Sequence, residues 1–216
     1  MSAIVDAFRM GGWFMYPIAV VQVFVAAVVI ERVFVLYFQA SVAKVALLKA
    51  VEKLLRAGQI DRAIKLSTDN RSPLGRVIAS GLRNVNERKE VIQMVMDEAA
   101  LTEVPNLERR TGYLAMLSNV ATLMGLLGTI VGLIHSFGAV AKADAATKST
   151  LLAAGISEAM NCTAFGLIVA IPALLCYAVL QSRTQKCVDE INEGSVRIVN
   201  LILLNKDKLL SEQNPG

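Results

Sequence analysis

Three stretches of this 216-residue chain are almost free of charge, and they restrict its fold more than any other feature. Residues 11–30 form a run of 20. Residues 111–136 form a run of 26 in which His135 is the one basic side chain. Residues 149–182 form a run of 34 in which Glu158 is the one charge. At about 1.5 Å of rise per helical residue, each can cross a hydrocarbon layer about 30 Å thick. Backbone in lipid must satisfy its own hydrogen bonds, and no alternating strand pattern is present, so the spans are expected to be helices. Hydrophobic residues make up 55% of the chain and charged ones 19%, a balance that suits lipid. The expected fold is an all-α membrane protein with three transmembrane helices and long helical extensions.

Basic residues near the span ends set the orientation. With three crossings, Lys44, Lys49, Lys53, Arg56, Arg109, Arg110, Arg183, Lys186 and Arg197 share one side, and Arg9, Lys142 and Lys148 the other. The positive-inside rule then makes the first group cytoplasmic. The expected segments are a periplasmic N-terminus with the first transmembrane helix (1–38), a cytoplasmic helical domain (39–111) and the second transmembrane helix (112–137). A periplasmic loop (138–150), the third transmembrane helix (151–181) and a cytoplasmic C-terminal helix and tail (182–216) complete the chain. The first span follows Arg9 without a small-residue cleavage site before Glu31-Arg32, which favours a retained anchor over a cleaved signal. Glu31-Arg32 itself reads as a headgroup contact at the span exit. Topology accounts for the net charge of +4, and no basic patch interleaved with aromatics points to nucleic acid. Cysteines 162, 176 and 187 lack convergent ligands or an oxidising setting and read as small apolar filler.

Between the first two spans the chain reads as helical. Ser41 is a candidate cap for a helix ending at Gly58, "IDRAIKLS" is a second helix, and Pro73 starts a third. Asn86 is a candidate cap for a long helix that contains Pro105 and runs on into the second span. After the third span, apolar residues at 188, 191, 198, 199, 202 and 209 continue a helical stripe, and "SEQNPG" reads as a frayed end.

The spans carry an unusual pattern of small and hydroxylated residues. At about 100° per residue, Ser118, Thr122, Gly125, Thr129, Gly132 and Ser136 fall within about 80° of one another. In the third span Ala159, Thr163, Gly166 and Ala170 form a second, narrow stripe. Two readings compete. Small residues let helices approach closely while each hydroxyl bonds a backbone carbonyl. Alternatively, the stripes line a polar lumen or receive a partner helix. Glu158 lies roughly 10 Å into its span, where an ionised carboxylate must pair, hydrate or take up a proton. It sits about 140° around the helix from Thr163, so the two do not share a line. His135 reads as an interfacial histidine, Gln22 as a helix–helix contact, and Pro172 as a kink that frees a carbonyl.

At these residues the sequence resembles the MotA/TolQ/ExbB family of proton-channel subunits, and its three-span ExbB/TolQ branch most. "GGWFMYPIAVVQ…IERVFVL" resembles the family's first span and Glu-Arg exit, and "SPLGRVIASGL" its cytoplasmic segment. "NVATLMGLLGTIVGLIHSF" carries a Gly-Leu-x-Gly-Thr signature. "GISEAMNCTAFGLIVAIPALLCY" carries Glu, then Thr five residues on, then Gly-Leu and Ala-Ile-Pro-Ala. Asn161 and Ala178 depart from the pattern.

The resemblance implies a homo-oligomer, a pentamer, around a dimer of a single-span ExbD/TolR-like partner, and contact with a TonB/TolA-like protein. It implies no cofactor beyond protons as the coupling ion. By position, Thr129 and Thr163 would line the central pore and Glu158 would be the polar residue at its outer half. The implied activity is non-enzymatic: conversion of proton motive force into work on the envelope, with ExbB-like energising of TonB-dependent transport as the first expectation. TolQ-like envelope maintenance and gliding motility are alternative outputs. A non-conducting membrane scaffold is an alternative of another class. An intramembrane enzyme is disfavoured, since the spans hold no Ser-His pair or metal-ligand set.

Overall fold

The computed structural model describes residues 11–36, 44–70 and 72–206. Seven α-helices are described: α1 (Met15–Phe34), α2 (Lys44–Arg56), α3 (Ile60–Asp69), α4 (Pro73–Arg83), α5 (Lys89–Glu108), α6 (Gly112–Lys142) and α7 (Lys148–Leu204). No strand occurs among the described residues. Three helical stretches are long and apolar enough to cross a membrane: Met15–Phe34, Lys89–Lys142 and Lys148–Leu204, with peak mean hydropathies of 2.0, 1.8 and 2.3. The chain is therefore a multi-pass, all-α membrane protein. It divides into two compact units, one built from Met1–Glu31 with Arg110–Val179, the other from Arg32–Arg109 with Leu180–Gly216.

In the second unit the packing follows the sequence pattern closely. Ser72 caps α4 by accepting a hydrogen bond from Gly75 N (3.0 Å), and Pro73 takes the first helical position, where its missing N–H costs nothing. Gly58 ends the turn after α2 with φ 80°, a conformation glycine adopts without strain. The core unites Val51 and Leu55 of α2, Val77, Ile78 and Leu82 of α4, Ile92 and Met96 of α5, and Ile198 and Ile202 of α7. Each such side chain contributes about 1.5–3 kcal/mol by leaving water. Gly194 lets α7 approach α4: a Cβ there would lie 2.7 Å from Leu74 Cδ1.

Charged groups tie the same unit together. Glu103, buried on α5, accepts a bidentate pair from Arg76 of α4. Glu52 of α2 accepts from Arg56 (2.7 Å) and from Arg197 of α7 (2.6 Å). These hydrogen bonds, Arg197's first, hold the Glu52 carboxyl below its ordinary value of 4.5.

Several boundaries differ from the sequence expectation. The first helix starts at Met15 and not at Gly11, because Gly11–Phe14 form a turn with Gly12 at φ 68°. The residue preceding α5 is Arg88 and not Asn86, since the chain is still turning through Asn84–Glu87, where Glu87 N bonds Asn84 O. Pro105 does not break α5; the helix ends at Glu108, and 3₁₀-type bonds Tyr113 N→Arg110 O and Leu114 N→Thr111 O lead into α6. The second apolar helix continues to Lys142, five residues beyond the expected end. Ser41 and the terminal "SEQNPG" lie outside the described residues.

Glu31-Arg32 is also corrected. In the second unit Arg32 is 4% exposed and donates to the carbonyl of Leu107 (3.1 Å), near the end of α5 where carbonyls lose their helical partners. In the first unit Glu31 pairs with Arg110. Arg32 is therefore a buried donor and not a headgroup anchor.

Candidate functional site

The first unit brings α6 and α7 together along their small-residue faces. A Cβ at Gly125 would lie 3.0 Å from Cys162 O and 3.3 Å from the Cα atoms of Thr163 and Gly166. A Cβ at Gly166 would lie 2.8 Å from Ala121 O and 3.1 Å from Gly125 Cα. Lower contact distances are not available to real side chains, so backbone packs on backbone here. Gly132 meets Ala159, and Gly155 meets Ser136. This is how helices adhere in lipid, where apolar side chains gain little by leaving acyl chains and close van der Waals packing takes over.

The hydroxyls of these faces bond to carbonyls. Ser118 Oγ donates across the crossing to Ala170 O (2.8 Å), two residues before Pro172, and α7 continues as helix through that proline. Thr122 donates to Ser118 O (3.1 Å) in its own helix. Ser136 Oγ donates to Leu151 O (3.3 Å). Ser118, Gly125 and Gly166 are buried, as is Ser136; Gly132 is half-buried and Thr122 exposed.

Thr129 and Thr163 are placed differently. Both are half-buried. Thr129 Oγ1 donates to Leu126 O in its own helix (2.6 Å), and Thr163 Oγ1 reaches Gly125 O on α6 at 3.4 Å. With their protons directed at backbone, each hydroxyl keeps lone pairs for another donor. The neighbouring side chains on the outward faces are large and apolar: Leu126, Leu127 and Ile130 on α6, Leu167, Ile168 and Ile171 on α7. Among the described residues of this chain nothing covers those faces.

Glu158 is exposed on α7. Its carboxylate Oε1 lies against Gly12, in the space that a Cβ on Gly12 would occupy. One helical turn further along α7, buried Cys162 directs its Sγ–H at Gly11 O (2.9 Å). Gly128 of α6 makes room for that sulfur: a Cβ there would lie 2.8 Å from Cys162 Cβ and 3.3 Å from Phe14 Cβ. The cysteine is thus a hydrogen-bonded junction, more than the filler expected from sequence. His135 and Gln22 are both exposed.

Sequence reasoning therefore marked Ser118, Thr122, Gly125, Thr129, Gly132, Ser136, Glu158, Thr163, Gly166 and Pro172, and missed Gly11, Gly12, Gly128, Gly155 and Cys162. The glycine pair at 11–12 and the spacing Glu158–Cys162, one turn apart, were the available signals.

Residues 69–193 match the profile of the MotA/TolQ/ExbB proton channel family. The chain is similar to a putative biopolymer transport protein ExbB-like 1 of Synechocystis, 30% identical over 193 residues, which cover 86% of this chain and 74% of that one. It is similar to a putative biopolymer transport protein ExbB homolog of Methanothermobacter thermautotrophicus, 26% identical over 191 residues, 88% of this chain and 67% of the relative. It is also similar to the Tol-Pal system protein TolQ of Haemophilus influenzae, 41% identical over 88 residues, 41% of this chain and 38% of that one.

Proposed function

This chain belongs to the MotA/TolQ/ExbB proton channel family, and from that premise we propose that it is the oligomeric subunit of a proton-driven motor in a bacterial inner membrane. Copies of it, five by family likeness, surround a dimer of an ExbD/TolR-like single-span partner. The N-terminus faces the periplasm and the C-terminus the cytoplasm. The motor does work on the envelope, with ExbB-like energising of TonB-dependent transport as the first assignment. TolQ-like maintenance through a TolA-like protein is the second, in keeping with the TolQ relative. The chain itself performs no covalent chemistry and takes no cofactor.

One observation carries this reading. The α6–α7 pair is closed backbone to backbone at Gly125 and Gly166, which leaves no room for water or a proton carrier between them. A path that uses Thr129, Thr163 and Glu158 must therefore run along the outer faces of the pair, where a second molecule completes it. The titrating group of that path is a carboxylic acid on the partner's helix, exposed in turn to the two sides of the membrane.

The hydroxyl geometry suggests what this chain contributes. Thr129 and Thr163 spend their protons on Leu126 O and Gly125 O. In that state they accept a hydrogen bond from a protonated carboxylic acid. A rotation about the Thr163 C–O bond breaks only a long 3.4 Å contact and turns the hydroxyl into a donor for the ionised carrier. The same residue thus serves both protonation states at small cost. Glu158, at the outer half, attracts protons to the entry.

The test uses the complex isolated from native membranes through a tag on this chain and reconstituted in liposomes with an entrapped pH dye. Thr129→Val with Thr163→Val should abolish proton uptake while complex yield is kept. Glu158→Gln should reduce uptake and energised output in cells, again at normal yield. A passive scaffold would tolerate both changes, so unchanged uptake would reject the motor reading.

A further inference from the structure

The turn that precedes α1 meets α7 at two points one helical turn apart. Gly11 O accepts from Cys162 Sγ (2.9 Å), and Gly12 leaves the space that Glu158 Oε1 fills. Gly12 is at φ 68°, a left-handed conformation that most side chains resist. Two independent constraints therefore converge on one glycine: its backbone needs the positive φ, and its missing Cβ is occupied by a carboxylate. The turn is itself held. Met15 N bonds Gly12 O (3.3 Å), and Phe14 Cβ packs where Gly128 of α6 lacks a side chain. Among the described residues no side chain hydrogen-bonds the Glu158 carboxylate, and its Oε1 rests against the Gly12 backbone.

We propose that Gly12 is a positioning residue for Glu158: the Gly11–Gly12 turn, latched to α7 through Cys162, fixes where the Glu158 carboxylate sits at the mouth of the proton path. The proposal rests on the reading of Glu158 as part of that path. The turn lies at the N-terminal end of α1, so a movement of that end relative to α7 would move the carboxylate directly. A single methyl group at position 12 displaces the carboxylate without touching any hydroxyl of α6 or α7.

Two substitutions separate strain from displacement. Asparagine tolerates positive φ better than other side chains, so Gly12→Asn keeps the turn while filling the carboxylate's space. In the reconstituted native complex Gly12→Asn should lower proton uptake by as much as Glu158→Gln does and no more, within the roughly hundredfold that misplacing an acting group by about 1 Å can cost. In the Glu158→Gln background it should cause no further loss. The infrared carboxyl band that Glu158→Gln removes should shift in Gly12→Asn, a change that a merely structural role would not produce. Where Gly12→Asn lowers the yield of complex, Glu158→Ala should restore it, because the colliding carboxylate is gone.

An unshifted band, wild-type uptake in Gly12→Asn, a loss that persists undiminished in the Glu158→Gln background, or a low yield that Glu158→Ala does not repair would each overturn the proposal. Failure of the underlying reading is distinguishable, since it appears as normal uptake in Glu158→Gln alone.

Discussion

At the scale of single residues, the ion pairs of the second unit give the clearest pH dependence. Glu52 is held below its ordinary value of 4.5 by hydrogen bonds from Arg197 and Arg56. A depressed carboxylate stabilises the fold fully above its unfolded-state value, and that contribution is lost as pH falls through the lower folded value. Glu52→Gln should therefore lower the thermal midpoint at neutral pH, and the gap to wild type should close as the pH is taken below about 4.5. Melting curves of the two proteins in the same detergent, across pH 3 to 7, check this. Because the Arg56 and Arg197 side chains are largely exposed, added salt should narrow the gap as well. Arg32 shows where residue-level reading of sequence fails. Charge next to an apolar run suggests a headgroup contact, yet Arg32 is buried on Leu107 O. The need for that donor arises from the end of α5, 75 residues away in sequence, and no local pattern announces it.

At the scale of elements, the α6–α7 crossing makes a prediction whose sign depends on position. Gly166→Ala brings a methyl group 2.8 Å from Ala121 O, against backbone that cannot swing aside. It should destabilise the helix pair by about 1–3 kcal/mol. Gly138→Ala, near the end of α6, meets nothing within 4 Å and should stabilise by about 0.5–1 kcal/mol through helix propensity alone. Thermal scans of the two variants in lipid discs should shift in opposite directions, and a shared direction would contradict the crossing. Much of this was legible beforehand. The 3.6-residue period placed Ser118, Gly125, Gly132 and Ser136 on one face, and Ala159, Thr163, Gly166 and Ala170 on another. Periodicity identifies a face and is silent about what meets it. The pairing of those two faces with each other, and the entry of the Gly11–Gly12 turn beside Cys162, depend on tertiary placement. Element ends were less legible for a similar reason: Asn86 has the chemistry of a cap, but the turn at Asn84–Glu87 delays the helix to Lys89.

At the scale of the whole molecule, the apolar faces of the spans remain uncovered among the described residues. Val23 and Phe24 of α1, Leu123 and Ile134 of α6, and Ile168 and Leu175 of α7 are all more than half exposed. Lipid alone can solvate such surfaces, and half-buried Thr129 and Thr163 lie beside them with their hydroxyls bonded to Leu126 O and Gly125 O. The gapless contact of Gly125 with Gly166 then carries a genetic consequence. If the walls of each conduit come from separate molecules, a faulty copy spoils work done by healthy ones. In cells expressing wild-type and Thr163→Val genes at graded ratios, output should drop more steeply than the wild-type share, and the defect should be dominant. A straight-line decline would mean that every polypeptide operates alone.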